Sequence, residues 1–349
     1  MVEIRVIKEN EIDSAKAIMK SSFPSSYYSI FYLYPETTLV ALIDNKVVGG
    51  INLDVYDATI RVGYVGWLYV DAAARGLGIG EKLVEKAIEF LEHDVKVDET
   101  VLCIEGDNPS SFKNFSPRGF DIMSLGEQIK CFKWNISKVY KHASRFFDMG
   151  YFLWHKKNGV ECKRQAIKKS PLKSILSLLF TVLFNTLLFT LSVAKFKAIT
   201  PYTLLIPLFL LTLRALTEAI VLLCFKTKSV YLSWDTSWLS SIISVLLPFY
   251  FPSPGGVYVK GDEWKLKDKA KALGVSALIT VAAEAIALFA FRGSIEYLFF
   301  ALPLFLLDTL FSFYPFCGFL ASRIKRITGK KQSLIYLFVV IVIIGIFIA

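Results

Sequence analysis

Arg75-Gly-Leu-Gly-Ile-Gly80 is the stretch of this 349-residue chain whose residue types and spacing suit chemistry. Glycines let backbone N–H groups close on a pyrophosphate, and the positive end of a following helix favours the same anion. Arg75 adds a fixed positive charge beside it. The spacing excludes the two commonest phosphate loops. A P-loop needs Gly-Lys-Ser/Thr, whereas Glu81 follows Gly80. The dinucleotide fingerprint needs G-x-G-x-x-G, and the third glycine here falls one residue early.

The flanking sequence supplies the elements such a turn needs. Tyr64–Val70 reads as a strand and Glu81–Leu91 as a helix. Upstream lie a first strand, Glu3–Ile7, a helical pattern, Glu11–Lys20, and a strand pair, Thr38–Ile43 and Lys46–Asp54, joined by an Asp44-Asn45 turn. Downstream, the strand Thr100–Glu105 leads into Asn108-Pro-Ser-Ser-Phe-Lys-Asn-Phe-Ser-Pro-Arg-Gly-Phe120.

Together these features resemble the GCN5-related N-acetyltransferase (GNAT) family, whose acetyl-CoA motif is R/Q-x-x-G-x-G/A and whose later segment is N-x-x-A-x-x-L-Y-x-K-x-G-F. The resemblance implies an α/β domain over residues 1–136, with a mixed, mostly antiparallel sheet and flanking helices. It further implies acetyl-CoA as cofactor, and direct attack of an amine on the thioester. Leu68 and Val70 would offer main-chain groups to the cofactor and its carbonyl, Arg75, Gly76, Gly78, Ile79 and Gly80 would hold the pyrophosphate, and Asn108 would fix the pantetheine arm or the next helix. The family's frequent acid, a tyrosine seven residues after Asn108, is replaced by Phe115, which has no proton to donate.

Within the family the protein N-terminal acetyltransferases match best. Tyr64, eleven residues before Arg75, stands where that branch carries a catalytic tyrosine. Its histidine base is replaced by Cys103, and Glu105, two residues on along the same strand face, is the alternative base or amine ligand. The branch's peptide-binding F-P-x-S-Y-x-x-x-F-Y segment matches Phe23-Pro-Ser-Ser-Tyr-Tyr-Ser-Ile-Phe-Tyr32, which makes Phe23, Pro24 and Tyr27 substrate-binding candidates. Each also has a plainer reading: Tyr64 as a packed strand aromatic, Glu105 as a solvent-facing carboxylate, the aromatic segment as core.

Charge is unevenly distributed. Residues 1–129 hold 12 Lys/Arg against 20 Asp/Glu, residues 130–170 hold 11 against 2, and residues 171–349 hold 17 against 8. The overall +10 therefore comes from a basic connector and from loops between apolar segments, not from a nucleic-acid-binding face on the first domain. Five widely spaced cysteines without a CxxC suggest neither disulfides nor a zinc cluster. The charged, amphipathic first residues read as no signal peptide.

Residues 137–170 interleave Lys141, Arg145, Lys156, Lys157, Lys163, Arg164, Lys168 and Lys169 with Phe146, Phe147, Tyr151, Phe152 and Trp154. This composition suits a juxtamembrane linker on anionic lipid; nucleic acid is the less favoured partner. Over 171–349, the stretches Ser174–Ala194, Tyr202–Phe225, Ala270–Phe291, Ile295–Phe316 and Leu334–Ala349 read as five spans. Trp234–Phe251 reads as a re-entrant segment, which keeps the basic loops on one, cytoplasmic side. Arg214, Glu218, Glu284 and Asp308 fall inside spans, either as a polar path or as a structural ion pair.

A second resemblance covers this half. Pro252-Ser-Pro-Gly-Gly-Val-Tyr-Val-Lys-Gly261, Lys271–Ala277 and Phe311–Ile324, with Pro315 and Arg323, look like segments of the site-2 protease family. Its HExxH would fall on Thr217–Val221, leaving only Glu218, and its aspartate ligand on Leu320. All three histidines precede residue 171, so no metal and no proteolysis is expected. The sequence thus points to a multi-pass cell-membrane protein with a cytoplasmic N-acetyltransferase domain, acting on a protein N-terminus or lysine. The rival is a non-catalytic acyl-CoA sensor on a pseudoprotease scaffold.

Overall fold

A computed structural model describes residues 2–145, 148–159, 171–196, 199–261, 264–291, 293–294, 296–314, 317–329 and 332–348. The chain forms two compact units: Met1–Ile104, Ser110–Arg145 and Phe152–Ala166 in the first, and Glu105–Pro109, Phe146–Tyr151 and Ile167–Ala349 in the second.

The first unit is built on strands β1 (Glu3–Val6), β2 (Leu39–Ile43), β3 (Lys46–Asp57), β4 (Arg61–Val70), β5 (Glu99–Glu105), β6 (Asp121–Ile122) and β7 (Tyr151–Lys157). They form one sheet in the order β1-β2-β3-β4-β5-β7-β6. Pairs β1–β2, β2–β3, β3–β4 and β6–β7 are antiparallel, and β4–β5 is parallel. This is the mixed, mostly antiparallel sheet expected. The β2–β3 hairpin turns through Asp44 and Asn45 with φ of 49° and 61°, a left-handed pair that side chains able to bond their own backbone tolerate.

The β4–β5 ladder is short. It runs from Val62↔Glu99 to Val65↔Leu102, while β4 continues to Val70. On the other side of β4, the register with β3 shifts between Ile51 and Leu53, which bends the strand at Gly66 and Trp67. Helices α1 (Ile12–Ser22) and α2 (Ile79–Glu89) cover this region. Ala15, Ile18 and Met19 of α1 join Val40, Leu42 and Tyr69 in one apolar cluster. A separate cluster gathers Tyr56, Tyr64 and Val101 under Phe132 of α4 (Leu125–Phe132) and Val139 of α5 (Ile136–His142), which follow α3 (Pro109–Phe115).

The expected linker 137–170 is therefore structured in its described part, as α5 and β7. In β7 the aromatics face inward: Phe152 and Trp154 are buried, whereas in a lipid-lying segment they would be presented outward. Residues 146–147 and 160–170, with Lys163, Arg164, Lys168 and Lys169, lie outside the described residues.

In the second unit, α6 (Pro171–Ala194), α7 (Pro201–Cys224) and α9 (Leu266–Ala290) hold 24, 24 and 25 residues. All three are long and apolar enough to cross a membrane. Between α7 and α9 lie the strands β8 (Ser229–Leu232) and β9 (Gly256–Val259) and the short helix α8 (Ser237–Ser244), the described form of the Trp234–Phe251 segment. The expected span Ile295–Phe316 is shorter than anticipated. A wide helical turn at Tyr297–Ala301 runs into α10 (Leu302–Leu310) and the helix stops there, where the Phe311 main chain leaves helical geometry. Helices α11 (Leu320–Thr328) and α12 (Gln332–Ile348) complete the unit, α12 with 17 residues.

Buried charge organises this unit. Arg214 donates to both Asp308 oxygens at 2.6 and 3.0 Å, to Glu218 at 3.1 Å and to the Gly255 carbonyl at 3.0 Å. Arg323 donates to Glu218 at 2.6 Å, to Asp107 at 2.8 and 3.2 Å and to the Val257 carbonyl at 2.8 Å. Glu284 sits 3.9 Å from Arg214. Of the two readings open for these residues, the contacts match a structural network. Asp308 also accepts from the Leu320 N–H at 2.9 Å, which caps the start of α11.

Arg214→Met leaves Asp308 and Glu218 buried with a partner missing. It is expected to cost about 3–5 kcal/mol, read as a large fall in melting temperature of the detergent-solubilised protein. Arg326→Met removes a partly exposed cation and is expected to cost no more than about 1 kcal/mol.

Candidate functional site

The turn leaving β4 is held by short-range bonds. Val70 O accepts from Arg75 Nε at 3.2 Å, the Asp71 N–H donates to Val48 O at 2.8 Å, and Asp71 Oδ1 accepts from the Ala73 N–H at 2.8 Å. Gly76 and Gly78 then take φ of +85° and +73°, values that L side chains rarely adopt. A Cβ at either would meet nothing within 4 Å, so these glycines serve backbone shape and open approach and do not serve packing. Gly80 differs: its Cβ would lie 3.9 Å from Val70 and 4.0 Å from Leu68, so the first turn of α2 rests on the end of β4.

Gly78 is the N-cap of α2 and offers no side chain to the first-turn N–H groups. Those donors, the helix dipole and the exposed Arg75 make an anion cradle. Glu81 in the first turn would oppose an anion, but Arg118 bridges Glu81 at 3.0 Å and Glu85 at 2.6 Å and offsets it. The cradle fits a pyrophosphate, and Leu68 and Val70 lie along β4 beyond its last pairing with β5. The sequence-chosen residues Leu68, Val70, Arg75, Gly76, Gly78, Ile79 and Gly80 therefore come together.

Phe23, Pro24 and Tyr27 also converge, around a residue that the sequence reading missed. Trp67, at the bend of β4, makes edge contacts with Phe23 at 5.2 Å, Tyr27 at 5.9 Å and Phe31 at 4.8 Å between ring centroids. Pro24 starts the short helical turn Ser25–Ile30 that carries Tyr27. The Trp67 indole N–H, the Tyr32 hydroxyl and the Tyr56 hydroxyl are buried without a hydrogen-bond partner among the described residues. Buried polar groups of this kind ordinarily have partners; Thr38, Ser116 and Trp154 of the same unit also have side-chain atoms in this state, so the feature is not confined to this corner.

Tyr64 is buried, and burial pushes its phenol well above the ordinary value, with the hydrogen-bonded Cys103 thiol adding to the shift. It therefore keeps its proton near neutrality. Its direct cross-strand partner is Asp54, buried on β3, whose Oδ2 lies 2.6 Å from His142 Nδ1 at the end of α5. The His142 ring stacks on Tyr56 with centroids 3.9 Å apart. Strand alternation alone would have paired Asp54 with Tyr64; nothing in the sequence points to His142.

Glu105 and Asn108 belong to the second unit. Glu105 pairs with Arg326 at 2.6 Å; burial pushes its carboxyl upward while the guanidinium opposes the shift. The Asn108 N–H donates to Glu105 O at 3.0 Å just before α3. Phe115, at the acid position, is buried edge-on against Phe120 at 5.3 Å.

The model of the acetyltransferase (GNAT) family matches residues 9–120. The chain is similar to N-alpha-acetyltransferase 30 of Saccharomyces cerevisiae, with 30% identity over 125 residues, covering 32% of this chain and 70% of that protein. Among solved structures, it is similar to the NatC complex bound to Gag peptide and CoA, at 23% identity over 45% of this chain and 98% of that one, with a TM-score of 0.34. It is also similar to the PaiA N-acetyltransferase of Thermoplasma acidophilum in complex with coenzyme A, at 16% identity over 45% and 99%, with a TM-score of 0.31.

Because the Tyr32 and Tyr56 hydroxyls bond nothing among the described residues, Tyr32→Phe and Tyr56→Phe are expected to leave the melting temperature unchanged or raised. A fall of several degrees in either variant would show that the hydroxyl serves folding.

Proposed function

From the membership of this chain in the GNAT acetyltransferase family, we infer that it is a membrane-anchored, acetyl-CoA-dependent N-acetyltransferase acting on an amine, a protein N-terminus or lysine, at the cytoplasmic face. The observation that carries the cofactor reading is the uncapped, doubly left-handed glycine turn set against β4. Acetyl-CoA, when bound, supplies an acetyl group activated as a thioester. Arg75 and the N–H groups through Gly80 would hold its pyrophosphate, and main-chain groups at Leu68 and Val70 would line the pantetheine arm, with Asn108 fixing the arm or α3. Tyr64, which keeps its proton, is assigned hydrogen-bond donation and not proton abstraction. Glu105, the other candidate for the acceptor amine, is held by Arg326. Phe23, Pro24 and Tyr27 would wall the acceptor.

Three further features support the membrane reading. Helices α6, α7 and α9 have spanning length, and α12 is strongly apolar. A cavity of about 280 Å³ between the end of α7 and the start of α9 is lined by Lys226, Lys228, Lys260, Lys269, Thr227 and Trp264, a cationic surface with an interfacial indole. The site-2 protease likeness is carried as a scaffold reading without hydrolysis, since two arginines occupy the one surviving catalytic-type residue, Glu218.

The rival is a non-catalytic acyl-CoA sensor, favoured by the buried phenyl ring at position 115. Detergent-purified protein assayed with acetyl-CoA across a peptide and amine panel separates them. Arg75→Ala is expected to weaken CoA binding by about 10–100-fold, and Tyr64→Phe to lower kcat by on the order of 10²-fold with CoA affinity retained. CoA binding with no transfer to any amine would establish the sensor, and absence of binding would sink both.

A further inference from the structure

An acceptor amine is an ammonium ion at neutral pH and must lose a proton before it attacks a thioester. The two residues that sequence marks for catalysis are poorly placed to take it. Tyr64 is already protonated and buried, and Glu105 is committed to Arg326. Position 103, where a histidine base would stand, is a cysteine hydrogen-bonded to Tyr64.

The first unit brings a different base to the same sheet face. Asp54 on β3 stands directly opposite Tyr64 on β4, and Tyr64 stands beside Val101 on β5. Strand alternation puts Tyr56, two residues along β3, and Cys103, two residues along β5, on this face as well. Tyr56, Tyr64, Val101 and Cys103 do share one cluster, and α5 packs on it through Val139. The last residue of α5, His142, reaches Asp54 at 2.6 Å and stacks flat on Tyr56, with 17° between the ring planes. The imidazole keeps partial exposure, with 27% of its side chain accessible, against 12% for the Asp54 side chain. Tyr32, whose buried hydroxyl has no partner among the described residues, lies within electrostatic reach of Asp54, Tyr56 and Cys103.

The described contacts of the imidazole are thus Asp54 and Tyr56, both from β3, while Tyr64 from β4 and Cys103 from β5 stand on the same sheet face and Tyr32, from the segment before β2, lies within electrostatic reach of Asp54 and Tyr56. Asp54 is the only one of them that carries charge at neutral pH in its ordinary form. A histidine bonded through Nδ1 to a buried carboxylate is fixed in orientation, with Nε2 left to face an acceptor. The Tyr56 ring stacked on it suits a cation, and the hydroxyls of Tyr32 and Tyr56, without a partner among the described residues, suit the carbonyl oxygens beside a peptide's amino group.

We propose that His142, oriented by Asp54, is the base that takes the proton from the acceptor ammonium, and that the Tyr32–Tyr56–Tyr64 corner receives that amine. The proton passes from nitrogen to imidazole and then to solvent. The amine's lone pair forms the C–N bond, the C–S bond breaks, and the second amine proton goes with the departing thiolate, giving amide, CoA thiol and one released proton.

This rests on the transferase reading above, and one experiment separates the two. The pH dependence of kcat/KM is measured for the full chain in detergent, with a peptide acceptor, for wild type, His142→Gln and Asp54→Asn, with CoA affinity as the control for folding. His142→Gln is expected to lower kcat/KM near neutrality by about 10²-fold, to abolish the acid-side inflection, and to recover as pH rises and free amine accumulates. Asp54→Asn leaves the imidazole but removes the carboxylate that orients it, so kcat/KM is expected to fall by about 10-fold or more with CoA affinity retained. Wild-type inflections retained in a CoA-binding His142→Gln protein would overturn the inference alone. CoA binding without wild-type turnover would overturn the transferase reading and the inference with it.

Discussion

The short shared ladder of β4 and β5 is the constraint on which the first unit depends. The two strands pair only as far as Val65 and Leu102, and β4 runs on to Val70. Had the ladder continued, main-chain groups at Leu68 and Val70 would be spent on β5. Because it ends, they lie along a strand with one unpaired side, directly beneath the first turn of α2. The register shift against β3 works with this, since it bends β4 at the point where it parts from its neighbour and sets Trp67 among Phe23, Tyr27 and Phe31. The glycine turn would have the same local conformation elsewhere, but only here does an anion cradle stand beside available strand edge.

Much of this was legible because its causes are local. Left-handed backbone at Gly76 and Gly78 requires glycine, an Asp-Asn pair announces a tight hairpin, and the strand–turn–helix order follows from periodicity within about twenty residues. The aromatic segment after α1 was also readable, though its centre, Trp67, was not, since its place depends on a bulge that no local pattern encodes. Composition misled over residues 137–157. Alternating aromatics and lysines look alike whether the aromatics meet lipid or a sheet, and β7 buries Phe152 and Trp154 against its own unit. His142 stayed hidden for the same reason, since its partner Asp54 lies 88 residues earlier.

The helical unit shows the opposite limit. The sequence identifies Arg214 and Glu218 as helix-face neighbours, and that pair exists at 3.1 Å. The stronger contacts are nonlocal: Asp308 stands 94 residues from Arg214, and Asp107 stands 216 from Arg323. No spacing rule reaches so far. The span Ile295–Phe316 failed in length for a related reason, because hydropathy does not register that Asp308 is bound to Arg214 and to the start of α11, which fixes the chain into a turn soon after Leu310.

The two units differ in how their charged groups are paired. In the helical unit, guanidinium groups saturate Asp308, Glu218 and Asp107, and backbone carbonyls at Gly255 and Val257 take the remaining donors. Arginine does not give up its proton in proteins, so the two guanidinium groups act as fixed cations for the carboxylates they bond. The saturation is partial, since both Glu284 carboxylate oxygens are buried without a hydrogen-bond partner among the described residues. The first unit holds polar groups of the same kind. Hydroxyls at Tyr32 and Tyr56 and the Trp67 N–H are buried with no partner among the described residues, a histidine is braced by a carboxylate, and helix-end donors at α2 lack a cap. Each of these carries a cost in the isolated protein that a bound ligand would remove. Buried polar atoms without a partner among the described residues occur in both units, Glu284 and Tyr297 of the helical unit included, so the chemistry is assigned to the first unit on its glycine turn and on the His142–Asp54 pair.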